Sequence, residues 1–408
     1  PEVRFRGFEE DWKQRKVGEF LKESRIKGSD GSIAKKLTVK LWRKGIIPKE
    51  EAYRGSTTTQ YYVRKSGQFM YGKLDFLNQA FGIVPKELDG FESTLDSPAF
   101  DISNGMDSKF FLEFVSLDKF YKYQGNIANG SRKAKRIHPE TFYEMPIPLP
   151  SFAEQKKIGV LLEEIDESIS LHQKELTTLK QTKQGFLQKM FPKEGEKVPE
   201  VRFPGFTDDW ELRKLDDSIK VMDGDRGSNY PHDTDFFKNG NTLFLDTGNV
   251  TKNGFKFDSV KYITKEKDEQ LRAGKLEKND FVLTSRGTLG NVGFYDDLVY
   301  KLHPKIRINS AMLILRNTDE QLSYSYLHTL LKGKLISDFM KKNQVGSAQP
   351  HITKSEFLKL NLNVPCDIEE QNKIGDFFKS LDDTIALHQR ELEFLQLTKK
   401  AFLQKLFV

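Results

Sequence analysis

Two segments of this 408-residue chain are written twice. "PEVRFRGFEEDWKQRK" from Pro1 returns as "PEVRFPGFTDDWELRK" from Pro199, with 11 of 16 positions identical. Glu154–Phe191 returns as Glu370–Phe407, 20 of 38 identical without a gap and 216 positions on. Between these bookends, residues 30–140 and 220–350 share little sequence. A repeat of about 200 residues is far too long for a solenoid. The chain is therefore a whole module written twice, each time as head, body and helix.

The repeated back segment carries an unbroken four–three spacing. Its first seam runs Ile158, Leu162, Ile165, Ile169, His172, Leu176, Leu179, Lys183, Phe186, Met190. The second runs Ile374, Phe378, Leu381, Ile385, His388, Leu392, Leu395, Lys399, Phe402, Leu406. Such heptads belong to helices packed along their length. At roughly 1.5 Å per residue each rod is on the order of 55 Å long, and the other copy is its obvious partner. A two-fold relation between duplicated modules makes the rods antiparallel. His172 and His388 share one seam position and read as polar residues fixing register. Protonating both below about pH 6 is expected to weaken the pairing. Ser151 and Asp367 are the expected caps, with Glu154 and Glu370 as capping-box partners.

The expectation is an α+β chain. Two mixed α/β bodies are separated by two long antiparallel coiled-coil helices, with pseudo-two-fold symmetry. The boundaries fall at 1–153 for the first head and body, 154–191 for the first helix and 192–198 for a polar linker. The second head and body take 199–369 and the second helix 370–408. Strand-like runs include "GQFMYGKLDF", "DFVLTSRGTLGNVGFYD" and "INSAMLILRN". "LSYSYLHTLLKGKLISDFMKK" reads as an amphipathic helix, and "SKFFLEFVSLDKFYKY" as its counterpart in the first body.

Composition excludes several classes. Hydrophobic content of 37% with 32 Phe can fill real cores, so the chain is not disordered. No run of 18 apolar residues and no signal peptide is present, so a cytoplasmic protein with no membrane partner is expected. The first residue is Pro1, not Met, and a short leader is expected before it. The single cysteine, Cys366, can form neither an internal disulfide nor a zinc site. There is no GxxxxGK[ST] loop, no GxGxxG after a strand, no HExxH and no Cys cluster. "GTLGNVG" has the spacing of a turn. Asp101 with Asp107, Ser108 and Lys109 resembles a nuclease triplet only as chance does. No catalytic residue, metal ligand or cofactor site is assigned to this chain.

Basic and polar loops within the bodies remain. The net charge of +6 is modest, and its distribution is more informative. Residues 30–73 hold ten Lys/Arg against three acids, among them Arg43, Arg64 and Lys73. "GSRKAKRIH" then concentrates Arg132, Lys133, Lys135 and Arg136 in a loop. Lysine and arginine neutralise phosphates, and arginine also pairs bidentately with guanine. The second body has "DGDRGSNYP" with Arg226 and Tyr230, and "TSRGTLG" with Ser285, Arg286 and Thr288. "GSAQPHIT", with Gln349 and His351, stands where "GSRKAKRIH" stands in the first body. Like places with unlike side chains suit two readers of different DNA sequences.

Two variable bodies, each followed by an "EQxKIG…LHQ.EL…K..FLQK.F" helix, resemble the specificity subunits of type I restriction-modification systems. The resemblance covers essentially the whole chain and is most specific in the paired heads and helices. It implies that the bodies are target recognition domains, each reading half of a split target in double-stranded DNA. It implies that the helices form the spacer and the docking surface for two methyltransferase subunits. Those partners would bind S-adenosylmethionine and methylate adenine. Restriction and translocation subunits, using ATP and magnesium, would cut. The competing readings are a two-headed scaffold that grips proteins, and an enzyme, most simply a nuclease, whose site is not visible in the sequence.

Overall fold

The computed structural model describes residues 1–50, 55–127, 136–343 and 351–407. It resolves into two compact units, Pro1–Lys174 with Arg390–Val408, and Glu175–Gln389. Each unit thus takes one head, one body and part of both long helices, so the units do not follow the boundaries read from the repeats. The long helices are continuous, Phe152–Lys189 and Ile368–Leu406.

The two bodies, unlike in sequence, share the strand order of one central sheet. In the first, a four-stranded sheet runs in the order Leu21–Ser24, Ala99–Ile102, Phe69–Tyr71, Phe81–Ile83. In the second, the order is Ile219–Asp223, Met312–Asn317, Phe281–Thr284, Val292–Phe294. Both sheets are antiparallel throughout. Each head adds a strand, Lys13–Lys16 or Glu211–Lys214, to the strand leading into the long helix, Pro146–Leu149 or Asn361–Val364. Two-stranded ribbons tolerate Pro146 and Pro148, which could donate no ladder bond inside a sheet.

Helices close each core. The first body carries Ser108–Val115 and Asp118–Ile127, and the second Tyr324–Lys332 and Lys334–Asn343. Each expected single helix is therefore a pair. The Asp107 carboxylate accepts from Phe110 N (2.9 Å) at the first start, and Ser323 caps the second. Phenylalanine fills the first core. Phe69, Phe100, Phe110, Phe111 and Phe142 are fully buried, with Phe69 edge-on to Phe111 at 4.9 Å. Burial of each such ring stabilises by about 2 kcal/mol.

The repeated "EQxKIG" joins body to helix in the same way in both units. Glu154, buried, accepts two bonds from Arg4 (2.9 and 2.7 Å), and Glu370 accepts two from Arg202 (2.6 and 2.8 Å). The glutamates therefore hold the heads and do not close capping boxes. Ser151 does cap, accepting from Glu154 N at 3.3 Å, and Asp367 accepts from Glu369 N at 2.7 Å. Gln155 accepts from Asp107 N (2.9 Å), and Gln371 from Ser323 N (2.8 Å), so each glutamine grips the start of its body helix. Ile158 and Ile374 enter the two cores. A Cβ on Gly159 would lie 2.6 Å from Asp107 Oδ1, and one on Gly375 would lie 2.3 Å from Ser325 Oγ. Only glycine permits that approach.

Within each unit the two long helices run in opposite directions. Lys399 bonds Asp166 (2.6 Å) and His172 Nδ1 faces Glu391 (3.5 Å) in the first unit. Lys183 bonds Asp382, and His388 Nδ1 faces Glu175 (3.4 Å), in the second. The seam lysines are thus register-fixing ion pairs. Each seam imidazole thus faces a carboxylate of the opposing helix. Ile158, Leu162, Ile165, Leu176, Ile374 and Phe378 are buried. Ile169, Leu179, Leu381, Ile385, Leu392 and Leu395 are half-buried, as are both histidines.

The repeated heads close the helix C-termini. Val3 N bonds Lys405 O (3.3 Å) and Val201 N bonds Lys189 O (2.9 Å), each satisfying a terminal carbonyl. Trp12 packs edge-on to Phe407, and Trp210 to Phe191. Among the described residues no helix is long and apolar enough to cross a membrane.

Candidate nucleic-acid interface

Three chain segments meet at one end of each sheet. In the first body, Lys73 follows the Phe69–Tyr71 strand. Its N–H bonds Asp96 O (2.9 Å), and its carbonyl accepts from Ile137 N (3.0 Å). In the second body, Ser285 follows the Phe281–Thr284 strand. Its N–H bonds Ala311 O (2.9 Å), and its carbonyl accepts from Ile352 N (3.0 Å). The sheet registers make these junctions equivalent. Tyr71 pairs Phe81 as Leu283 pairs Val292, and Ala99 pairs Met70 as Ile314 pairs Val282. Lys73 therefore corresponds to Ser285 and Asp96 to Ala311. Ile137 and Ile352 are both buried and anchor the third segment from beneath.

Side chains at the rims differ between the two. The first junction offers Lys73 and exposed Arg136, which pairs with Asp96 at 3.3 Å. The second offers exposed Arg286 and Thr288, with half-buried His351 bridged to Arg286 through the backbone. Arg226 joins it, since its guanidinium bonds Ser310 O (3.3 Å) beside Ala311 and pairs with Asp223 at 3.1 Å. Tyr230 is half-buried and sets its ring against Phe244.

The Arg226 loop is held rigidly. Asp225 accepts from Gly227 N (2.7 Å), Arg272 N (2.6 Å) and Ala273 N (3.2 Å). Burial pushes its carboxyl up, but these N–H donors outweigh burial and keep it below the ordinary value. A Cβ on Gly224 would fall 2.2 Å from Asn309 O, which fixes the loop against the 309–311 segment. Pre-set loops of this kind keep their exposed tips in one geometry.

Three residues expected at the interface have other tasks. Arg64 is fully buried, and its guanidinium bonds Ser24 O (2.9 Å), Ser93 Oγ (2.8 Å) and the carbonyls of Thr94 and Ser97. Burial lowers it to about 10. It shapes the loop that carries Asp96 and cannot touch a ligand. Arg43 is drawn into a fork with Glu113 (Nη1 at 2.7 Å), which also receives Lys399 at 3.3 Å. Burial alone would raise Glu113, but Arg43 and then Lys399 hold it below the ordinary carboxylate range. Ser285 is 2% exposed, and its contribution is its backbone. Arg132, Lys133, Lys135 and Gln349 lie outside the described residues. Asp96, Asp223 and Asp225 were missed, because nothing in a sequence separates a carboxylate that orders a loop from one that is merely solvated.

Comparison with known proteins is consistent with this geometry. A family model described as the type I restriction modification DNA specificity domain matches residues 100–181 and 207–397, well over half of the chain. The type I restriction enzyme MjaVIII specificity subunit of Methanocaldococcus jannaschii is 24% identical over 277 residues, covering 66% of this chain and 63% of its own length. The putative type I restriction enzyme MjaX specificity subunit of the same organism is 22% identical over 302 residues, covering 73% of this chain and 66% of its own length. The chain thus spans just under two thirds of these curated relatives. A crystal structure of a type I restriction-modification S subunit from M. genitalium aligns over 100% of this chain and 99% of its own. Its TM-score is 0.61 at 14% identity, a likeness of fold. The chain belongs to the type I restriction-modification DNA specificity family.

Proposed function

We propose that this chain is the non-catalytic DNA reader of a type I restriction-modification assembly, each body reading one half of a bipartite target. One observation carries this reading. Two bodies of unlike sequence build the same backbone junction and rim it with different side chains, cationic in both cases. A common frame with exchangeable tips is what reading two different half-sites requires. Arginine supplies bidentate bonds to guanine, and lysine supplies phosphate contact. The long helices set the distance between half-sites and offer their outer faces to two methyltransferase subunits, which bring S-adenosylmethionine. Restriction subunits bring ATP and magnesium. The cell's own DNA is the substrate to be marked, which places the assembly in the cytoplasm.

Methylome sequencing of cells co-expressing this chain with its methyltransferase partner tests the proposal. The expected result is a split motif, methylated on adenine in both halves and absent when this chain is omitted. A stable complex that leaves no new methylation would sink the reading and favour a protein scaffold.

A further inference from the structure

The first body carries a hairpin that the junction does not use. Leu37–Val39 pairs with Ile46–Pro48, and the loop between them reads Lys40-Leu41-Trp42-Arg43-Lys44-Gly45. Residues 35–49 contain six Lys/Arg and no acid. Lys35, Lys40, Lys44 and Lys49 are exposed. One face of the hairpin is buried through Leu37, Val39 and Ile46, while Leu41 and Ile47 stay at the surface. At the tip stands Trp42, 55% exposed.

The conformation of that tip is unusual. Trp42 has φ +58° and Arg43 φ +55°, the left-handed region that bulky L-residues rarely adopt. Its surroundings impose this. Trp42 N bonds Asn78 O (2.8 Å), Arg43 N bonds Gln79 O (3.0 Å), and the Arg43 guanidinium is locked on Glu113. The turn is clamped at three points and its ring is left outside. Asn78 and Gln79 belong to the same inter-strand loop that begins at Lys73, so the tip is continuous with the first junction.

An exposed tryptophan does not stabilise a fold, and a strained backbone that presents one suggests a use for it. The exposed lysines Lys35, Lys40, Lys44 and Lys49 match a phosphate backbone, and a two-stranded ribbon is narrow enough for a major groove. We propose that the Leu37–Pro48 hairpin enters a groove of the duplex and that Trp42 stacks on or wedges against a base step there. The second body lacks this device among its described residues, since its tryptophan, Trp210, is buried. The contact therefore belongs to one half-site. This inference rests on the DNA-reading proposal and adds a specificity-determining residue to it.

Tryptophan emission can test it in the full chain. There are three tryptophans, and Trp42 alone is exposed, Trp12 being half-buried and Trp210 buried. The duplex would carry the motif found by methylation sequencing, with binding followed separately by anisotropy of a labelled duplex. The expected result is saturable quenching and loss of acrylamide access on binding, both absent in Trp42→Phe. Trp42→Gly relaxes the positive φ, so it should melt no lower than the native chain. It should nonetheless bind about tenfold or more weakly, as loss of one stacked base does, with an unchanged salt slope. Lys40→Ala should instead reduce that slope by about one. Duplex binding with Trp42 emission and acrylamide access unchanged overturns the inference and leaves DNA reading intact. Protection of Trp42 by the methyltransferase subunit alone, with no further change on adding duplex, overturns it in favour of a protein contact. A chain that binds no duplex in any assay overturns the DNA-reading proposal itself.

Discussion

Arg64 and Arg136 both sit in basic stretches of the first body, and sequence treats them alike. Arg64 follows a strand and turns inward onto carbonyls, whereas Arg136 is exposed. Burial separates a positioning residue from a reading one, and burial is a property of the packed chain. His328 shows the same dependence. It packs against Phe281 and Phe294, where burial, then Lys332 and Lys183, lower it to about 4, with Asp382 and Asp296 opposing. Above pH 6.5 the imidazole is neutral in both states and its contribution is complete. As pH falls toward 4 the unfolded chain protonates first, so stability is lost through that window, by about 3 kcal/mol. Urea unfolding of the full chain at pH 7, 5.5 and 4 should show this loss, and His328→Gln should flatten it. An identical pH profile in the variant would mean that other groups account for the loss.

At the scale of elements, the long helices were legible and their attachments only partly so. Heptad spacing exposed both rods, and identity between copies marked "EQxKIG" as special. What each letter does needed the fold, because Arg4 and Asp107 come from distant sequence to meet Glu154, Gln155 and Gly159 at one helix end. Gly375→Ala places a methyl 2.4 Å from the Ser325 carbonyl carbon. The overpacking should destabilise the second unit by about 1–3 kcal/mol, seen as an earlier urea midpoint. Gly185→Ala, with nothing within 4 Å of its Cβ, should cause no such loss. Equal effects at the two sites would remove close approach as the reason for glycine. Length is the other property of these elements. Inserting one turn of residues into one rod should change the spacer between half-sites and leave their letters alone. A motif with altered letters and an unaltered spacer would count against the rods as rulers.

For the whole molecule, the question is whether the two bodies act separately. The junctions are built by different residues within different units, so damage to one should be confined to one half of the motif. Arg136→Ala should relax one half-site, by about 1–3 kcal/mol at the affected base pair, and Arg286→Ala the other. Methylation motifs from the two variants would decide this, and relaxation of both halves by either variant would argue against independent readers.

Duplication, heptad rods and an α+β class were written in the residues, because repeats and periodicity are local patterns that survive without coordinates. The lack of a known catalytic motif was equally visible. Sequence could not reveal that bodies sharing so little identity share one central sheet order, since that order depends on strands that meet 75 to 98 residues apart. Nor could it tell which arginines face solvent. Those decisions are made by packing, where the energy of a side chain depends on neighbours that the linear order does not bring near.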